Sequence, residues 1–436
     1  MVVQLPSEPE VDTQPAEIDA GVIDDARARH RRERWVGAIV AALAVIAGLL
    51  FGFGGGGGGG AGAGRHGGAG GNPGGASRNS TKPATALALR GVSANEFGLM
   101  SSGTGWGVLQ NGFEVTRDGG LRWQLITGAA QHGARYGRAL VKGLTLTDSS
   151  TTVIESSSPS ARVAAIAVEG AGAAPSFCKQ PRYPSTGVPG LLITADAGRS
   201  WTMRALPGCN GAESVSFVNA RIGYVDVYRS TGESQIYETV DGARHWRLRG
   251  HFAGPSAISF GSREDGLATV NTTNQTATPA VYRTTDGGRS WERVRFCGAT
   301  PDPSYTVYCG NMTSFGRRGV VLAVAQRLAK VRSDAVLIYT TSDGGNHWVR
   351  HRLPLQSPQM PQLSAPNASD LFAYSPTGVL YTSTDGGSDW SSIPQPGVRD
   401  VVQMQFVNAD YGWLNSGDGL EYTRDGGRNW APVGRR

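Results

Sequence analysis

Seven aspartates recur at one phase of a repeat: Asp118, Asp196, Asp241, Asp286, Asp343, Asp385 and Asp425. Each stands two residues after a hydroxyl (Thr116, Thr194, Thr239, Thr284, Thr341, Ser383, Thr423) and five before a tryptophan (Trp123, Trp201, Trp246, Trp291, Trp348, Trp390, Trp430). Carboxylates can act as general acids and bases, and a facing pair can cleave a glycosidic bond. Such chemistry requires the groups to converge on one point, whereas equivalent turns of a repeat are carried apart by it. The spacing therefore predicts structural aspartates and tryptophans and no catalytic residue. The other candidates for chemistry are equally dispersed. Unspecific acidic pairs such as Glu264-Asp265 fall at ordinary turns. The seven histidines, His30, His66, His132, His245, His251, His347 and His351, form no cluster with metal-ligand spacing. No cofactor or metal is expected.

The octamer Ser/Thr-x-Asp-x-Gly-x-x-Trp has a physical reading. Asp and Thr side chains bond nearby backbone groups, and glycines supply positive φ, which together make a tight turn between two strands. The tryptophan then opens the next strand and packs its ring on a neighbour. Seven of the ten tryptophans obey this one phase, so the repeat governs the fold. The third copy is the weaker match, with Ala243 in place of the second glycine, while Ala197 of the second copy stands at a variable position and stays within the pattern. The octamer resembles the Asp-box, or BNR, repeat of sialidases, sortilin-type receptors and photosystem II stability/assembly factors. The resemblance implies a β-propeller whose octamers lie at the blade periphery, away from the funnel where ligands bind.

The last repeat shows the unit. Val401 to Val407, Tyr411 to Leu414, Leu420 to Thr423 and Trp430 to Val433 read as four short strands separated by Gly/Asn/Asp turns. Phe217-Val218-Asn219 with Gly223-Tyr224, and Phe260-Gly261 with Gly266-Leu267, repeat the order of the first two strands, and Gly105-Trp106 matches Gly412-Trp413. Successive octamer aspartates are 78, 45, 45, 57, 42 and 40 residues apart. These intervals predict an all-β fold, a seven-bladed β-propeller of four-stranded antiparallel blades. The interval of 78 leaves an eighth, octamer-free blade as the alternative. Within it, Leu144 to Glu169 is expected to supply two strands and Gly170 to Pro189 an inserted loop. Ala84 to Arg90 is a candidate strand for tying the ring ends together.

A single N-terminal transmembrane helix is expected before the propeller. Residues 1–34 form a polar, disordered cytoplasmic tail that ends in Arg27, Arg29, Arg31, Arg32 and Arg34. Residues 35–53 carry no charge and have the length of a bilayer span. The basic residues before the span put the N-terminus inside and the remainder outside. A signal peptide cleaved after Ala61-Gly62-Ala63 is the competing reading. Residues 54–83 form a Gly-rich linker that lacks the helix and Gly-Lys-Ser/Thr of a phosphate loop. Residues 84–436 form the propeller.

An exported domain fits the four cysteines, whose order suggests Cys178 with Cys209 and Cys297 with Cys309, one of three connectivities. The net charge of +6 comes without a basic stripe interleaved with aromatics, so nucleic acid is not expected. An acidic partner or lipid surface suits it better. Arg199, Arg244, Arg289 and Arg428 share one octamer position and form a candidate docking edge for an acidic partner.

The photosystem II stability/assembly factor resemblance spans about Val92 to Trp430. It implies non-catalytic binding of a newly made reaction-centre protein during assembly. A sortilin-like module capturing peptides or exported proteins is the second binding reading, and a monomer is expected in either. The enzyme alternative is a sialidase-like or other glycoside hydrolase. Sialidases would require an Arg-Ile-Pro segment, and Arg182-Tyr183-Pro184 is the nearest approach.

Overall fold

The computed structural model describes residues 96–434, apart from 110–111, 127–133, 137–138, 142–151, 171–187, 208–211, 229–232, 255, 271–279, 300–304, 328–332, 356–360, 396–397 and 399. The tail, the 35–53 span, the linker, Ala84 to Arg90, Cys178 and Cys209 lie outside the described residues. Among the described residues no helix is long and apolar enough to cross a membrane.

Seven sheets follow one another along the chain, each built from consecutive strands and antiparallel but for one pair in the second. Each contributes one strand to the inner ring: Glu96–Leu99, Thr152–Ser160, Ala212–Phe217, Ser256–Phe260, Tyr305–Phe315, Gln362–Ser364 and Gln403–Phe406. They define blades 1 to 7. Four strands per blade is the rule, and two blades add to it.

In blade 2 the outermost strand, Thr202–Arg204, pairs in parallel with a hairpin of Ala134–Tyr136 and Ala139–Val141 that precedes the blade in sequence. The hairpin covers an edge that would otherwise offer unpaired backbone groups. The long interval is thus used by this hairpin and by the expected strands, Thr152–Ser160 and Val163–Gly170, and the described residues form seven blades with no eighth among them. In blade 5 the short strand Gly298–Ala299 pairs with the start of the innermost strand. Beside it, Cys297 and Cys309 are joined as a disulfide with Cα atoms 5.9 Å apart.

Each sheet face packs on the next blade, so the core is a series of apolar seams. Val320, Leu322 and Ile338 of blade 5, for example, meet Leu371 and Ala373 of blade 6. The innermost strands diverge too far to share a ladder, and side chains bridge them instead. Ser216 Oγ accepts from Phe260 N at 2.8 Å, and Ser364 Oγ from Phe406 N at 2.8 Å.

The ring closes by the same device with longer arms. The Gln403 amide accepts from Phe97 N at 3.2 Å and donates to Phe97 O at 2.8 Å. Gln405 does the same for Leu99, at 2.7 and 3.2 Å. Two primary amides thus stand in for the peptide groups of a missing strand between blades 7 and 1.

The Gly residues that open the second strands have a packing reason. Gly223, Gly266 and Gly412 lie directly opposite Phe217, Phe260 and Phe406 in the antiparallel register. A Cβ at Gly266 would stand 2.6 Å from the Phe260 ring, and one at Gly412 2.7 Å from Phe406. The bare glycine lets the ring lie across the strand toward the preceding blade, where Phe260 stacks on Tyr224 and Phe406 on Phe372. We expect Gly266→Ala to cost about 1–3 kcal/mol through overpacking. Thermal unfolding of the variant checks this, and a melting temperature equal to the parent's would refute it.

Candidate functional site

Each octamer forms the turn between the third and outermost strands of its blade, and its side chains are spent within that turn. The hydroxyl is buried, with Thr116 at 0% and Thr284 at 2% exposure. It donates to the aspartate Oδ1, at 2.9 Å in the first octamer and 2.8 Å in the fourth. It also accepts the backbone N–H two residues past the aspartate, as from Gly120 at 2.8 Å and Gly427 at 2.9 Å. Oδ1 further accepts a backbone N–H four residues on, as from Ser290 at 3.0 Å. The side chain at that same position reaches Oδ2 in five octamers, from Ser200, His245, Ser290, His347 and Asn429.

This donor set acts on the carboxyls. Burial tends to raise Asp241 and Asp286, but the bonds from His245 and Ser290 and from the turn backbone overcome it and hold both near 2. Backbone and side-chain bonds from His347 hold Asp343 well below the usual carboxylate range. Asp196, Asp385 and Asp425 are lowered in the same way. These are carboxylates fixed in the ionised form, the opposite of what a general acid near neutral pH requires.

A folded-state pKa below the unfolded value stabilises above about pH 4, and that contribution is lost as pH falls toward 2. We expect Asp286→Asn to lower the melting temperature at pH 7 and to leave it unchanged at pH 2. Equal losses at both pH values would refute the assignment.

The residue after each aspartate ties the octamer to its own blade. Its N–H donates to the carbonyl of the turn between the first two strands, as Gly119 to Gly103 at 2.9 Å, Gly242 to Arg221 at 3.0 Å and Gly426 to Asp410 at 2.9 Å. Both turns therefore lie on one face of the propeller, in seven separate stations. The structure brings no two octamer aspartates to a common point. Arg117 of the first octamer donates to the Gly198 carbonyl of the second, a link between neighbouring turns.

The two alanine copies keep the same backbone. Ala197 has φ 62° and Ala243 φ 61°, the left-handed values that glycine adopts elsewhere in the octamers. Ala243 is buried in the seam between blades 2 and 3. There Trp246 donates its indole N–H to Ala205 O at 3.0 Å, whereas Trp123, Trp291, Trp348 and Trp390 bond a carbonyl of their own octamer. Trp201 and Trp430 are half-buried against the seams, with no partner for the indole N–H among the described residues.

The four arginines of the expected docking edge are all exposed but do not make one row. Arg199, Arg244 and Arg289 occupy consecutive blades 2, 3 and 4. Arg428 stands apart on blade 7, where it donates to Asp425 O at 2.9 Å. The equivalent positions of octamers 1, 5 and 6 hold Leu121, Asn346 and Ser388.

Sequence reasoning missed the polar groups in the seam between blades 3 and 4. Glu238 is ion-paired with Arg249, both 4% exposed, and with Arg263 at 3.0 Å. Tyr224 donates to Arg263 O at 2.5 Å. Farther along the seam Asp226 is fully buried, and its Oδ2 accepts from Ser256 Oγ at 2.7 Å and Ser234 Oγ at 3.0 Å. Its Oδ1 has no partner among the described residues. Burial pushes this carboxyl up to about 8, against the two serine bonds. The only sequence signal was an acid inside the apolar strand Gly223–Tyr228.

No protein-family model matches the sequence, and no curated protein does. Solved structures do match in shape. A GH74 enzyme from Niastella koreensis is 13% identical with a TM-score of 0.53, over 80% of this chain and 55% of that enzyme. The chain thus spans about half the enzyme's length. YCF48 bound to D1 peptide is 17% identical with a TM-score of 0.47, over 78% of this chain and 95% of YCF48. YCF48 from Cyanidioschyzon merolae is 14% identical with a TM-score of 0.48, over 78% and 97%.

Proposed function

We propose that this chain is a membrane-anchored, extracytoplasmic propeller that binds a protein or peptide partner, as an assembly factor does, and performs no chemistry. One observation carries the reading. Each repeated aspartate is bonded within its own turn and tied to its own blade, and six of the seven are held in the ionised form there. The repeat thus supplies seven clamps that make the ring rigid, and a rigid ring presents a broad preorganised surface at little entropic cost. The sequence resemblance to photosystem II stability/assembly factors agrees with this role. The N-terminal span and Gly-rich linker would hold that surface outside the membrane within reach of membrane or exported proteins.

The shape likeness to the GH74 enzyme is the reason to test a glycoside hydrolase directly. Crosslinking of the full chain in intact membranes, followed by identification of what is held, is the informative experiment. Recovery of a defined protein is the expected result. Turnover of sialosides or plant glucans, abolished by a carboxylate substitution, would overturn the reading.

A further inference from the structure

The face that carries the octamers is divided by charge. The turns between the first and second strands place Arg162 on blade 2, Arg221 on blade 3, Arg263 on blade 4, and Arg317 and Arg318 on blade 5, all exposed. Beside them the octamers of blades 2 to 4 add Arg199, Arg244 and Arg289. The corresponding turns of blades 6 and 7 carry Asp370 and Asp410 and no arginine. Arg162, Arg199, Arg221 and Arg244 have no ion-pair partner among the described residues. Crowding is visible in one place, where burial and the neighbouring Arg244 together lower Arg204.

These guanidiniums sit on the tips of turns held in register. Every octamer is bonded to the adjacent turn of its blade, and Gly316 N donates to Gly261 O at 2.9 Å to link the turns of blades 4 and 5. The result is a broad set of guanidiniums on one side of the ring, in excess over the octamer aspartates and the Glu264-Asp265 pair interspersed among them. Tight protein interfaces concentrate their energy in a few desolvated anchors, which this distribution does not provide. A surface of many mobile anions meets it better. The third octamer and the starts of the outermost strands of blades 3 and 5 add exposed aliphatic groups, Val240 (43%), Leu248 (49%) and Val349 (58%), suited to the headgroup boundary.

We infer that the octamer-bearing face of blades 2 to 5 rests on an anionic lipid bilayer, through its exposed arginines and the exposed aliphatic groups at its margin. The inference rests on the reading of the chain as a membrane-anchored binding module. It gives the expected docking arginines a lipid counterpart and leaves the rest of the ring to the partner. A spacer of flexible composition keeps the effective concentration of bilayer high, so individually weak contacts suffice.

The test uses the full chain reconstituted in two bilayers, phosphatidylcholine alone and phosphatidylcholine with phosphatidylglycerol. A fluorophore at Val349→Cys reports approach through quenching by spin-labelled lipid. Strong quenching is expected only in the anionic bilayer, falling severalfold when salt is raised from about 0.05 M to about 0.5 M. The triple variant R199E/R221E/R244E, with an unchanged melting temperature, is expected to lose it.

Equal quenching in both bilayers, or none in either, would overturn the inference. So would quenching that needs an added acidic protein, because the face would then be a protein site. Flotation of the chain with neutral vesicles reports on the anchor independently. If the chain does not insert, the same label read with added anionic vesicles still tests the face. Partner crosslinking that survives loss of quenching would leave the binding-module reading standing.

Discussion

Replacing Asp226 with asparagine is expected to yield a protein close to the parent in stability at pH 4 and progressively more stable than it toward pH 8. The parent carboxyl has no solvent and accepts from two serine hydroxyls through Oδ2, with no cation among the described residues against it to hold a charge. It is neutral in the fold up to about pH 8, while an unfolded aspartate ionises near 3.9. Between those values the folded state holds a proton that the unfolded state has released, so stability falls as pH rises. The slope is about 1.4 kcal/mol per pH unit, and the loss across the window is on the order of 5 kcal/mol. Ser214 of blade 3, Ser234 beside it and Ser256 of blade 4 surround the group without charge. Glu213 is the acidic neighbour that adds to its upward shift. Denaturant unfolding at pH 4, 6 and 8 checks the expectation, and parallel curves for parent and variant would refute it.

The second large effect concerns the seam between the first and last blades. Phe97 and Leu99 are buried, and their backbone N–H and C=O groups on the seam side are satisfied by Gln403 and Gln405. Truncating one glutamine to alanine strands a buried donor and a buried acceptor, at about 1–3 kcal/mol for each group left unpaired. The double variant Gln403→Ala/Gln405→Ala should therefore lose about 4 kcal/mol or more. Amide exchange should rise first at Phe97 and Leu99. Other junctions join blades that are consecutive in the chain, so Ser364→Ala, which removes one bond to Phe406, is expected to cost about 1 kcal/mol. A double variant no less stable than the exposed-site control Gln124→Ala would show that the ring closes by other means.

Much of this architecture was legible in the residues themselves. Local chemistry specified each octamer, because a hydroxyl, a carboxylate and a left-handed residue at fixed offsets satisfy one another within eight residues. Repetition of that unit then set the number of blades and marked the turns between third and outermost strands. The Phe-to-Gly pairing across the first two strands was visible as a motif for the same reason, since both residues belong to one hairpin. The Cys297–Cys309 pair was suggested by chain order and closes a short local loop.

What the sequence did not disclose depends on residues far apart in the chain. The strand Ala134–Tyr136 pairs with one about seventy residues later, Arg135 against Arg204, and such pairings leave no periodic signal. Closure of the ring joins glutamines to backbone groups 306 positions away. Asp226 looks like any strand residue until blade 4 removes its water, because a carboxyl's state is set by surroundings that the local sequence does not contain. The arginines of two kinds of turn become one charged half-face only when seven blades are set side by side. The repeat by itself determined what each blade is, through bonds made within a hairpin. Only the tertiary structure decided what lies between blades, since seams and faces are made by groups that the chain brings together from a distance.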